Sequence, residues 1–142
     1  MEISLVRKRV RDGIDQAQKA AAARRAANHD ATNAWDELRE RMVAPMMQQV
    51  SQVLKSEGYG FRVDTPAAIV RLSSERSADD YIDVTMDTTG PVPVVLARVN
   101  RTRGRERFSD EHILASGDGI PGLTEERLLD LVIASLGPFL ER

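Results

Sequence analysis

Up to Pro45, the first proline in the chain, apolar residues recur mostly at steps of three and four: Ile3, Val6, Val10, Ile14, Ala17, Ala21, Ala27, Ala31, Trp35, Leu38 and Met42. Gly13 is the only glycine in that stretch. Such spacing is the stripe of a helix that faces another helix. It predicts one long helix to about Ala44, a break or kink at Pro45, and a shorter helix through Val50, Val53 and Leu54 that ends at Gly58. Forty residues of helix span roughly 60 Å. The ~85 residues after Gly58 would form a globule with a radius of gyration of about 12 Å. The helix therefore outreaches the body it belongs to, and a striped helix without tertiary packing is marginal in water. A partner helix is expected. Residues 1–44 read as an extended coiled-coil-like arm and residues 45–142 as an α+β domain.

The middle of the stripe is alanine (Ala17, Ala20 to Ala23, Ala26, Ala27, Ala31, Ala34). Small side chains allow close approach but bury little area, so the bulkier flanks should anchor the pairing. The expected oligomer interface is Val6, Val10, Ile14, Ala27, Ala31, Trp35, Leu38 and Met42, with a homodimer favoured.

Beyond Gly58 the apolar period changes from helical to alternating. Candidate strands are Phe61–Asp64, Ala68–Ser73, Tyr81–Thr88, Val92–Thr102 and Arg105–His112, separated by turn-forming runs such as Thr89-Gly90-Pro91 and Arg103-Gly104. In Tyr81–Thr88, Tyr81, Asp83, Thr85 and Asp87 alternate with Ile82, Val84 and Met86, which predicts a sheet with one wet face. Short connections imply an antiparallel meander of four or five strands. After the glycine-rich loop Ser116–Gly122, Thr124 is placed to cap a last helix, with Glu125 and Glu126 in its first turn. The apolar face of that helix is wide enough to meet the sheet and also the Met42–Leu54 helix or a second subunit. The fold class is α+β: long N-terminal helix, antiparallel meander, C-terminal helix. That order is similar in architecture to small bacterial nucleoid-associated proteins and some secretion chaperones. No motif string is shared with either, so no residue role carries over.

Several chemistries are closed by composition. With no cysteine, there is no disulfide, thiolate nucleophile or cysteine-ligated metal. Neither His29 nor His112 has a second histidine three or four residues away, so no metal-ligand spacing exists. The Asp79, Asp80, Asp83 and Asp87 carboxylates could approach one another, but the simpler reading is a solvated strand and turn. No nucleophile elbow and no phosphate-binding glycine loop is present. No enzyme activity, metal or cofactor is expected. The N-terminus lacks the apolar core of a signal peptide, and no run suffices for a membrane span, so a cytoplasmic location without membrane contact is the expectation.

Charge is unevenly placed. Residues 1–25 carry seven basic groups against three acidic, a balance of +4, and the rest carries 13 against 19, a balance of −6. Arg98, Arg101, Arg103, Arg105 and Arg107 crowd one predicted hairpin. If the hairpin projects, they would present a fork of guanidiniums to solvent, suited to phosphate or carboxylate contacts. The leading expectation is a non-enzymatic protein-interaction and assembly module that self-associates through its long helix, with another protein as an alternative partner. Nucleic-acid or polyanion binding through residues 98–107 and the basic N-terminus is the alternative function.

Overall fold

The computed structural model describes residues 1–141. Helix α1 (Ile3–Leu38) runs through a five-residue π turn (Arg39–Val43) into α2 (Ala44–Ser56). The strands β1 (Phe61–Asp64), β2 (Val70–Ser74), β3 (Tyr81–Asp87), β4 (Val94–Arg103) and β5 (Glu106–Ser116) follow, then a 3₁₀ segment (Gly117–Gly122) and α3 (Glu125–Leu140). The sheet is an antiparallel meander in the order β1-β2-β3-β4-β5. The α+β architecture expected from the periodicities is the one observed.

At Pro45 the long helix widens instead of breaking. The Ala44 N–H donates to the Arg39 carbonyl, five residues back. Proline has no N–H to give, and its ring crowds the carbonyl four residues earlier, so a turn with an extra residue accommodates it. Buried positions register the change. Ala31, Trp35 and Leu38 are followed by Met42 with Val43 and by Met46 with Met47, then Leu54, so the buried face stays aligned across the extra residue. The helix ends as expected at Gly58, whose φ of 92° is a conformation that glycine adopts without penalty. Its N–H donates to the Lys55 carbonyl at 3.0 Å and the Tyr59 N–H to the Leu54 carbonyl at 2.8 Å, the Schellman closure.

One core lies between the α1–α2 helix, α3 and one face of the sheet. Trp35, Leu38, Met47, Leu72, Ile82, Val84, Ile120, Leu128 and Val132 are among its buried members. Trp35 is pinned by its indole N–H, which donates to the Ala68 carbonyl at 2.9 Å. Ser51 ties α2 to β1 through a hydroxyl donated to the Phe61 carbonyl at 2.7 Å. Phe61 meets Phe139 of α3 edge to face, with centroids 6.4 Å apart. Thr124 caps α3 as expected, its hydroxyl accepting from the Arg127 N–H at 3.2 Å. The glycine-rich loop is structural: it winds into the 3₁₀ segment and buries Ile120.

The opposite face of the sheet is not uniformly wet. Cross-strand register sets Asp64 opposite Arg71, Arg71 opposite Asp83, Asp83 opposite Arg98, and Arg98 opposite Glu111. Five charges of alternating sign thus cross the whole sheet in one row. Asp83, expected in water, is buried at its centre and accepts two hydrogen bonds from Arg71, at 2.7 and 2.8 Å. The Arg71 guanidinium lies 4.1 Å from the centre of the Tyr81 ring. Hydrogen bonding to Asp83 raises the Arg71 pKa above its ordinary value, more than burial lowers it. Opposite-charge pairs across strands stabilise the register, whereas a one-residue slip would move each charge to the core face.

Candidate interaction surface

Helix α1 divides into two parts. No residue before Ala31 is buried; Ala27 and Asp30 already lie beside Pro93, Gly117 and Pro121, and residues 3–26 extend beyond them over roughly 35 Å. Ile3, Val6, Val10 and Ile14 are 75, 40, 55 and 50 % exposed in the single chain. Ala27 is exposed too. The remainder of the expected interface goes elsewhere. Ala31, Trp35, Leu38 and Met42 are buried in the chain's own core and have no surface left for a partner helix. The part of α1 with no buried residue therefore ends before Ala31. The exposed stripe away from the body comes down to Val6, Val10 and Ile14, with Ile3 joining at the tip and Ala27 beside Pro93, Gly117 and Pro121.

A second apolar surface lies at the other end of the long helix. Between α2 and α3 runs an open groove of about 610 Å³, walled by Val50, Val53 and Leu54 on one side and Leu129, Ile133 and Leu136 on the other. Val53 and Ile133 are 61 and 60 % exposed. Glu125 and Glu126 also line it. The wide apolar face of the last helix signalled part of this surface in the sequence. Val53 is among the apolar residues that mark the shorter helix in the sequence, but spacing alone does not tell it from the buried Leu54 beside it.

The arginine hairpin does not form one patch. Gly104, with φ of 62°, occupies the first central position of the turn, which is Gly104-Arg105 rather than Arg103-Gly104. Strand alternation places Arg101 and Arg103 on the α3 side of β4 and Arg98 on the opposite side. Arg98 pairs with Glu111 at 3.0 Å, Arg103 pairs with Glu141, and Arg107 lies 3.9 Å from Asp79. Arg101 stands over the Phe108 ring at 4.9 Å. Arg105 occupies the exposed turn. The five guanidiniums are split between two faces and the turn, and three of them are ion-paired.

The carboxylates are likewise engaged separately. Asp80 accepts from the Thr102 N–H at 2.9 Å, Asp87 accepts from the Thr89 N–H at 2.8 Å and hydroxyl at 2.6 Å, and Asp83 is held by Arg71. The Thr89 hydroxyl, then its N–H, lowers the Asp87 pKa. Among the described residues no group of His, Asp and Glu side chains is arranged to hold a metal. His29 and His112 are both exposed, His29 lying 3.3 Å from the Asn33 side chain. No helix among the described residues is long and apolar enough to cross a membrane. Comparison of the chain with protein-family models, curated proteins and solved structures found no match.

Proposed function

We propose that the chain is a non-enzymatic assembly module that self-associates through its projecting helical arm. The supporting observation is the stripe Ile3, Val6, Val10 and Ile14, half exposed or more on average in the single chain and out of reach of its own core. At about 2 kcal/mol for burying a whole aliphatic side chain, these four would contribute roughly 4 kcal/mol per arm, or about 8 kcal/mol for two arms in a symmetric pair. Association costs of the order of 4–15 kcal/mol take up most or all of that gain, so the arm stripe alone supports at best a weak, reversible assembly of about millimolar affinity. Sedimentation equilibrium of the full chain and of a chain lacking residues 1–26 tests this. The full chain should self-associate, and the shortened one should be a folded monomer. A full chain that stays monomeric at about 2 mM with its arm helical by circular dichroism removes the reading.

One observation favours a second reading, binding of a nucleic acid or other polyanion. Arg7, Lys8, Arg9 and Arg11 are exposed on the arm, and none belongs to an ion pair among the described residues. Fluorescence anisotropy on labelled DNA and RNA across a salt series decides it: affinity falling steeply with salt supports it, and no binding at low salt dismisses it.

A further inference from the structure

The arm tip and the α2–α3 groove are complementary in the two properties that decide how a helix docks, apolar spacing and charge. The groove is a trough between two helices, with Val53 and Ile133 exposed on its walls. From Glu126 to Ile133 along α3 is two helical turns, roughly 10 Å. Val6, Val10 and Ile14 span about 12 Å with the four-residue spacing by which amphipathic helices seat in such troughs. Arg7 and Arg11 share one flank of that stripe, and Arg9 lies towards the other. The groove supplies the opposite sign in Glu125 and Glu126, beside which no lysine, arginine or histidine lines it.

We propose that the α2–α3 groove receives the arm tip, residues 3–14, of a second copy of this chain. The chain's own tip cannot reach it. The helix is continuous from Ile3 to Ser56, so the tip lies about 60 Å along the axis from Val50. If each arm enters the other's groove the contact is reciprocal and closes on itself as a dimer. The inference rests on the self-association proposed above and names the surface that receives the arm.

Because the chain has no cysteine, a cross-link can be placed at will. Full-length Val10→Cys protein is mixed with full-length Ile133→Cys protein under mild oxidation. Cross-linked heterodimer should form well above the yield of a control pairing of Val10→Cys with Arg62→Cys on the outer sheet face. Sedimentation equilibrium then compares charge reversals. Arg7→Glu with Arg11→Glu, or Glu125→Lys with Glu126→Lys, should each weaken self-association at least tenfold, and mixing the two variants should restore it. Trp35 fluorescence confirms that each variant is folded. If the arm reversal weakens association but the groove reversal and the cross-link show no effect, docking in the groove is overturned while self-association through the arm stands. If wild type does not associate at all, both fall.

Discussion

Replacing Asp83 by asparagine tests the row of charges that crosses the sheet. The substitution keeps shape and removes one charge, leaving the Arg71 guanidinium without its counter-ion. The Asp83 side chain is 2 % exposed and that of Arg71 32 %. Breaking a fully buried pair costs about 3–5 kcal/mol, but Arg71 can recover some hydration, so the loss should be about 2–3 kcal/mol. Arg71→Met should be worse, at about 3–4 kcal/mol, because it strands the more deeply buried partner; Arg98, next in the row, limits the damage. Joint replacement, Arg71→Met with Asp83→Leu, removes both charges and should cost less than the two single losses added together. Urea unfolding followed by Trp35 fluorescence measures all three. With a slope near 2 kcal/mol per molar, a loss of 2–3 kcal/mol lowers the midpoint by about 1 M. Single effects below about 0.5 kcal/mol, or strict additivity in the double variant, would show that the pair behaves as a surface contact and refute the reasoning.

Trp35→Phe should cost about 2 kcal/mol, since it leaves a void in the core and orphans the Ala68 carbonyl; a change under 0.5 kcal/mol in thermal unfolding contradicts that assignment. Asp87 should titrate below the ordinary carboxylate value, and Thr89→Val should move it upward, as followed by carboxyl-carbon NMR. Because its folded pKa is depressed, the stability that Asp87 contributes is present above the unfolded value of about 3.9 and is lost as pH falls through the folded value.

Element order and strand positions were legible because each rests on local periodicity. Phe61–Asp64 matched to the residue, as did the start of β3 at Tyr81, and the other strand ends shifted by one to four positions. What escaped depended on pairing between distant segments. The alternation of β3 marks Asp83 as outward-facing, which it is, yet only the register with β2 shows that Arg71 lies across from it and takes it out of water. Likewise Ala31, Trp35, Leu38 and Met42 continue the arm's stripe without a seam. Local spacing carries no sign of where the body begins to cover that stripe, because the body's share is supplied by Ile120, Ala68 and α3, all far along the chain. The arginine hairpin is split for a third reason: Arg101 and Arg103 share one side of β4, Arg98 stands an odd number of residues away, and the register sets Arg107 opposite Thr102 on the other side.

Because the arm is one helix continuous with α2, its geometry is counted in residues. Inserting one residue between Asp15 and Asp30 would turn everything before it by about 100° and advance it about 1.5 Å, so a tip that docks as proposed would lose its groove with every side chain intact. Inserting seven would bring the tip back to within about 20° of its bearing while carrying it roughly 10 Å further out. If the arm docks as proposed, chain length in this stretch acts as a ruler and a compass together, setting both the reach and the bearing of the tip.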